Sequence, residues 1–366
     1  MRIALISGAS SVHTIRWANG LVNSGHEVHL ITQHAPCDIL SSDIILHKFP
    51  SRGLLGYFTM ARAVKKLLKK IKPDIVNAHY ASGYATTARL ANIRPYLLSV
   101  WGSDVYDFPE KSFIHKLFVR KNLISADRVA STSYCMAEQV YSIAPKLKEI
   151  IITPFGVDMK MFDESNRTIN DTSSITIGTV KTMEDVYGID ILIKAFSILY
   201  NKLTISDPTL ARKIYLRLVG DGSKTEQLRE LTETLGIKDR VNFVGRVQHQ
   251  FVPQELAKLD IYVALSHLES FGVAAIEASA AGLPIVVSDA GGLSEVTLNG
   301  ISGIVVPRNN PEMAAIAIEK LVLDPELRSK MGTAGKNHVN DNYQWHSCIK
   351  TMEAAFNKTI ESYNEK

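Results

Sequence analysis

The sequence predicts an α/β protein built from two Rossmann-like domains in series, each a parallel sheet wrapped by helices. Three observations carry that expectation. Short β-branched runs recur along the whole chain, each followed by a segment of helical periodicity, which is the rhythm of a parallel sheet covered on both faces. The chain has 366 residues, beyond the roughly 250–300 at which a single hydrophobic core stops growing. Near the middle, a stretch punctuated by proline, glycine and small polar residues separates one series of runs from the next.

In the first series the β-branched runs predict strands over residues 2–7, 27–32, 44–49, 74–79, 96–100, 128–131 and 149–152. In the second they predict strands over 175–180, 214–219, 241–244, 261–265, 285–288 and 303–306. The seam lies at Pro154-Phe155-Gly156-Val157-Asp158, followed by a polar stretch from Asp163 to Ser174. The expected organisation is therefore a first domain over 1–155, a linker over 156–174 and a second domain over 175–344. Residues 345–366 carry Ile349, Met352, Ala355, Phe356 and Ile360 at helical spacing, so the chain is expected to end on an amphipathic helix.

With 46% hydrophobic and 21% charged residues, the composition excludes a disordered or fibrous chain. No stretch approaches the roughly 18 unbroken apolar residues of a spanning helix, and residues 1–7 lack a signal peptide's cleavage site. Cys37, Cys135 and Cys348 form neither a CxxC pair nor an even set, which fits a reducing cytoplasm and three packing thiols. The net charge of +4 conceals an asymmetry. Residues 1–150 carry 19 Lys and Arg against 10 Asp and Glu, hence +9, leaving 22 against 27, or −5, for the remainder. A basic first half points to an anionic partner, either membrane phosphates or an acidic acceptor. With no recognised nucleic-acid motif or aromatic platform, nucleic acid is not the expected partner.

The segment richest in chemistry runs from Ser266 to Glu295. A strand ends in a loop carrying Glu269, the turn Phe271-Gly272-Val273 leads into a helix, and Glu277 follows with seven residues between the two carboxylates. Ligands of open parallel sheets bind beyond the carboxyl ends of the strands. A helix start there offers unpaired N–H groups and a positive dipole end, a seat for a diphosphate. Glu269 and Glu277 would flank that seat and accept hydrogen bonds from sugar or ribose hydroxyls. Taken singly, either glutamate could be a dipole partner and the glycines plain turns.

Taken in order, these residues resemble the retaining nucleotide-sugar glycosyltransferases of the GT-B fold, family 4 (glycosyl transferases group 1). The resemblance runs through Gly178 with Lys181, Tyr187-Gly188-Ile189, Leu192-Ile193-Lys194-Ala195-Phe196 and Val219-Gly220-Asp221-Gly222. It continues through Val244-Gly245-Arg246-Val247, Glu269 with Glu277, Gly291-Gly292 with Glu295, and Gly303-Ile304-Val305-Val306-Pro307. Pro154 to Asp158 with Phe162, and Trp345, resemble further elements of the family. The resemblance implies two sheets facing across a cleft, with a nucleotide-sugar donor in the second domain. It implies that Glu277 holds the ribose, and that Glu269 with the backbone of Phe271, Gly272 and Val273 contacts the transferred sugar and the diphosphate. Arg246 and Val247 would lie beside the nucleobase, near Gly222, and Glu295 would fix its loop rather than bind ligand. The family supplies an Arg and a Lys to the leaving diphosphate; here Lys181 is the first cation and Tyr187 stands where the second is expected. Lys224 and Arg246 are the candidates to fill that gap.

The first half holds the acceptor in such enzymes. The loop after the first strand makes Gly8, Ser10, Ser11 and His13 candidate cleft residues, joined by His79 at a strand end and Asp104 in Trp101-Gly102-Ser103-Asp104. Each histidine has an alternative reading as a hydrogen-bonded structural imidazole. Many relatives have His where this chain has Trp101. Residues 60–72 place Met60, Val64, Leu67, Leu68 and Ile71 on one helical face and Arg62, Lys65, Lys66, Lys69 and Lys70 on the other. That pattern suits either an anionic membrane surface or a helix packed on its own sheet with a solvated cationic face.

The function expected is retaining transfer of a hexose-type sugar from a UDP- or GDP-sugar to a hydroxyl of a glycan or a polyprenyl-linked or other lipid-linked acceptor, at the cytoplasmic face of a membrane. No metal or other cofactor is expected: there is no Asp-x-Asp, and His26, His29, His34 and Cys37 lack the paired spacing of a zinc site. Two rivals are a catalytically silent binding subunit on the same fold and a nucleotide-sugar epimerase.

Overall fold

The computed structural model describes residues 1–163 and 174–365. The chain divides into two compact units, the first comprising Met1–Phe155 with Trp345–Lys366 and the second Gly156–Gln344. In the first unit, β1 (Arg2–Ile6), β2 (Glu27–Thr32), β3 (Ile45–Lys48), β4 (Ile75–His79), β5 (Tyr96–Val100), β6 (Arg128–Ser131) and β7 (Ile151–Ile152) form one sheet in the order β3-β2-β1-β4-β5-β6-β7. In the second, β8 (Ile175–Val180), β9 (Ile214–Val219), β10 (Val241–Gly245), β11 (Ile261–Ala264), β12 (Ile285–Ser288) and β13 (Gly303–Val306) follow the order β10-β9-β8-β11-β12-β13. Their paired strands run parallel. In each sheet the chain builds outward to one side, returns, and builds to the other. The reversal lies between β1 and β4 in the first unit and between β8 and β11 in the second. Loops diverge at such a switch point and leave a crevice beyond the strand ends.

Burial on both sheet faces explains why the strands read as near-continuous apolar runs. In the second unit, Ile177, Leu216, Leu218, Ile261 and Val263 share one core with Leu192, Phe196 and Leu199 of the helix Ile189–Ser206. In the first, Ile6, Ile31, Val76 and Leu98 share a core with Val64 and Leu68 of the helix Ala61–Ile71. The apolar face of that basic helix is thus packed inside its own unit, and its exposed face carries Arg62, Lys66, Lys69 and Lys70.

One expectation needs revision, and one is observed with an addition. The expected linker 156–174 is not a spacer over its first part. The Val157 N–H donates to the Tyr343 carbonyl at 2.8 Å, and Val157, Met159 and Phe162 are buried around the short helix Met159–Asp163. The remainder, residues 164–173, lies outside the described residues. The terminal helix Trp345–Asn364 belongs to the first unit although it follows the second in sequence. Trp345 packs on Trp17 with ring centroids 5.0 Å apart, and Glu353 meets His26 Nε2 at 2.8 Å. A side chain at Gly20 would collide with Ile349, 2.6 Å from an added Cβ.

Beneath the β1/β4 reversal lies a buried polar network. His79, at the end of β4, donates from Nε2 to Asn77 Oδ1 at 2.8 Å and receives the Ser7 hydroxyl at Nδ1 at 3.0 Å. Asp104 receives the N–H groups of Ala81 at 2.7 Å, Gly102 at 2.8 Å and Trp101 at 3.2 Å, so it ties the loop after β5 to the loop after β4. Burial pushes the Asp104 carboxyl above its ordinary range while these donors oppose the rise. Burial pulls His79 down to about 3, so its imidazole is neutral.

This sets a pH dependence. Above about pH 6.5 the imidazole is neutral folded or unfolded; as pH falls from there toward 3, only the unfolded chain takes up the proton. His79 therefore contributes a loss of stability of up to ~1.4 kcal/mol per pH unit over that window. Denaturant midpoints from pH 7 to 4 should fall less steeply for His79→Gln than for the parent chain. Equal slopes would contradict a neutral His79.

Candidate functional site

The reversal between β8 and β11 brings together two residues 88 positions apart. Lys181 is the first residue beyond β8, held by its N–H to the Val219 carbonyl at 2.9 Å. Glu269 lies in the loop beyond β11. Lys181 Nζ and Glu269 Oε2 meet at 2.7 Å, with the two side chains only 17% and 12% exposed. The Tyr187 ring lies against the same ammonium, 4.2 Å from Nζ to the ring centroid. Burial draws the Lys181 ammonium down, but the Glu269 carboxylate, Tyr187 and Tyr262 outweigh it and hold the group above the ordinary lysine value. Burial pushes the Tyr262 hydroxyl, on β11, up to about 12. The crevice thus holds a fixed positive charge beside a carboxylate.

Two glycines permit this geometry. Gly188 has φ +59°, and a Cβ there would stand 2.0 Å from the Leu265 carbonyl, so only glycine lets Tyr187 lie against the loop after β11. A Cβ on Gly292 would stand 2.4–2.6 Å from the backbone of Phe271. Without one, the Gly292 N–H reaches the Glu269 carbonyl at 2.9 Å and fixes the loop. That loop then enters the helix Val273–Ala280, with Gly272 just before it. Glu277 sits in its second turn with its side chain 8% exposed, and Oε1 lies 3.0 Å from His249 Nε2. Glu269, Phe271, Gly272, Val273 and Glu277 therefore occupy one loop and one helix start. The Phe271 ring is buried edge-on to Tyr343, which leaves backbone as what this residue offers a ligand.

The other donor-side candidates lie on neighbouring loops. Lys224 is paired with Asp185 at 2.9 Å, apart from the Lys181–Glu269 pair. Arg246 is exposed and Val247 half-buried beyond β10, and the Arg246 charge helps hold the Asp221 carboxyl below its usual range, after the Thr225 hydroxyl and the Gly222 N–H. The Gly222 N–H is itself engaged by Thr225 Oγ1 at 3.0 Å. Glu295 lies in the helix Gly292–Val296.

In the first unit, the β1/β4 reversal opens a cavity of about 220 Å³. Gly8, Ser10 and Ser11 line one side, and Tyr57, Tyr80, Ser82 and Gly83 line another. Tyr84 closes it, its hydroxyl 2.7 Å from His34 Nδ1 and receiving the Gln33 N–H at 3.1 Å. His13 is outside this lining, stacked on Phe155 at 4.3 Å. His79 and Asp104 are corrected from ligand contacts to structural groups: both side chains are buried and their polar atoms are taken up by the network under the cavity. Trp101 covers them, its ring 4.3 Å from that of His79.

Sequence reasoning missed His249, Tyr57 and Tyr84. No motif marks them; Gln248-His249-Gln250 reads as a polar loop, and Tyr84 reads as one more core aromatic of a helix. The histidines weighed as metal ligands have separate partners, His26 with Glu353, His29 with Glu27 and His47, and His34 with Tyr84. Among the described residues no three His, Cys, Asp or Glu side chains gather as a metal-binding set.

Comparison with known proteins agrees with this layout. The profile described as "Glycosyl transferases group 1" matches residues 161–338, and that described as "Glycosyl transferase 4-like" matches residues 2–133. The chain is 23% identical to the N-acetyl-alpha-D-glucosaminyl L-malate synthase of Bacillus anthracis, over 95% of this chain and 93% of that one. Sucrose-phosphate synthase from Thermosynechococcus elongatus superimposes with a TM-score of 0.83 at 19% identity, covering 99% and 100% of the two chains. Anabaena HepE, solved in complex with UDP and glucose, gives 0.74 at 18% identity over 98% and 99%. With both matches falling on the two switch-point sheets in order, the chain belongs to the group 1, family 4 glycosyltransferases of the GT-B fold.

Proposed function

We propose that the second unit binds a UDP- or GDP-sugar and that the enzyme transfers its hexose-type sugar, with retention, to a hydroxyl of a glycan or lipid-linked acceptor held by the first unit. The observation that carries this reading is the Lys181–Glu269 pair at the β8/β11 reversal, followed within one loop by the start of the helix bearing Glu277. Glu277 receives the ribose hydroxyls, exchanging its bond to His249. Glu269 receives a hydroxyl of the transferred sugar. The Lys181 ammonium and the start of the helix Val273–Ala280 meet the diphosphate, where negative charge grows as the anomeric carbon becomes cationic.

The reaction balances without a carboxylate base. The bond from the anomeric carbon to the diphosphate oxygen breaks, and its electron pair stays on that oxygen. The acceptor oxygen bonds to the same face of the carbon, and its proton passes to the leaving phosphate oxygen. The cation that stabilises the departing charge, Lys181, is part of the protein, and on this reading transfer proceeds without a bound metal. The UDP seen in HepE supports a nucleotide-sugar donor. The +9 charge of residues 1–150 supports an anionic acceptor at the cytoplasmic face of a membrane. Among the described residues no helix is long and apolar enough to cross a membrane, so such contact would be peripheral. Tyr187 in the place of a second cation favours one rival, a silent binding subunit.

Product analysis by NMR with UDP- and GDP-hexoses separates these readings. The expected product has the anomeric configuration of the donor, forms equally in EDTA, and is accompanied by free nucleoside diphosphate. Inversion or an EDTA-dependent rate would refute the mechanism; an epimerised donor, or binding without turnover, would select a rival. Within the site, Glu277→Ala should weaken nucleotide binding by about tenfold, the scale of a charge-assisted hydrogen bond. Glu269→Ala should instead lower kcat by about 10²–10³, and Lys181→Met should both weaken nucleotide binding by about tenfold and lower kcat to that extent. Wild-type kinetics in all three would remove the site assignment.

A further inference from the structure

We propose that His249 occupies the ribose seat of the ligand-free protein and is turned out of it when a nucleotide binds, so that this side chain opposes the binding of any nucleotide that uses Glu277. The proposal rests on the reading that Glu277 receives the ribose. His249 Nε2 donates to Glu277 Oε1 at 3.0 Å. A carboxylate only accepts hydrogen bonds, so the imidazole and a ribose hydroxyl are donors competing for one group.

The two partners are unequally free to move. Glu277 stands in the helix Val273–Ala280, where every residue from Ala275 to Ala280 is buried. Just past the end of that helix, a Cβ on Gly332 of the helix Pro325–Tyr343 would stand 2.1 Å from the Gly282 carbonyl, so the backbone there is packed tight. His249 instead begins a single turn, His249–Phe251, between β10 and the helix Val252–Leu256. Its neighbours Arg246, Gln248, Gln250 and Phe251 are exposed. The imidazole is 35% exposed against 8% for the carboxylate, so it meets the carboxylate from the open side. The group that yields is therefore the imidazole: rotation about its own side-chain bonds frees Glu277 without disturbing the sheet.

Burial explains why the contact exists. A carboxylate this enclosed is costly without hydrogen-bond donors, and His249 supplies one while no ligand is bound. Ribose brings donors of its own, so the exchange leaves no buried acceptor unpaired. A sugar lacking those hydroxyls has nothing with which to replace the imidazole. Each nucleotide that engages Glu277 thus binds with an affinity reduced by the bond it breaks, and a bond to a charged group is among the stronger ones.

Calorimetry on the full chain with UDP, GDP and their 2′,3′-dideoxy analogues tests this. For the nucleotide that the parent binds, His249→Ala should bind about three- to tenfold more tightly, while affinity for the dideoxy analogue stays within about twofold. His249→Gln keeps a side-chain N–H donor and should stay near the parent. In a Glu277→Ala background, His249→Ala should change nothing. Weaker nucleotide binding by His249→Ala, an equal change for both ligands or no change for either would overturn the proposal, as would His249→Gln matching His249→Ala. The two readings fail differently. If Glu277→Ala binds the nucleotide as the parent does, or the parent binds neither nucleotide, the ribose assignment falls and the proposal with it. Lost affinity in Glu277→Ala with no gain in His249→Ala removes the proposal alone.

Discussion

The reversal of strand order between β8 and β11 is the constraint on which the second unit's chemistry depends. Neither Lys181 nor Glu269 belongs to a continuous motif with the other, and nothing local holds them together. Adjacent parallel strands deliver both residues to the same end of the sheet, where diverging crossovers leave a gap. Two buried ions need each other there, because an unpaired charge at that depth would cost several kcal/mol. Their pairing holds the site in a charged state before any ligand arrives, and preorganised charge is what stabilises a departing diphosphate at least reorganisation cost.

The first unit repeats the topology with different chemistry. Its β1/β4 reversal is filled underneath by mutually satisfied polar groups: a neutral His79 between Ser7 and Asn77, and Asp104 among three backbone N–H donors. That network supports the surrounding loops instead of facing a ligand. The cavity above is lined by serine hydroxyls and tyrosines. One unit presents a fixed ion pair at its strand reversal, while the other presents hydroxyls above a buried polar network.

Most of the architecture was legible in the sequence, because buried parallel strands must be apolar and β-rich and their boundaries are punctuated. The expected strand at 44–49 is observed as Ile45–Lys48, and that at 149–152 shrinks to Ile151–Ile152, since both lie at sheet edges where pairing ends early. Val157, Met159 and Phe162 were hidden by the proline, glycine and polar residues around them, so a buried segment read as a spacer. Glu269, Glu277 and Lys181 were legible as a pattern, yet the contact between Lys181 and Glu269 follows from sheet order, which no local spacing encodes. His79 and Asp104 show the opposite failure. Residue type does not distinguish a polar group facing a ligand from one satisfied by its own backbone; only burial and partners do.

The central claim is that Lys181, held at the strand reversal, is the cation that seats a nucleoside diphosphate. Calorimetric titration of UDP, GDP and ADP into the parent chain and into Lys181→Met, each in EDTA, tests it most directly. The account predicts that one of the three binds the parent selectively in EDTA and loses at least tenfold in affinity in the variant. Binding that is indifferent to Lys181, or no binding of any of the three, would contradict it.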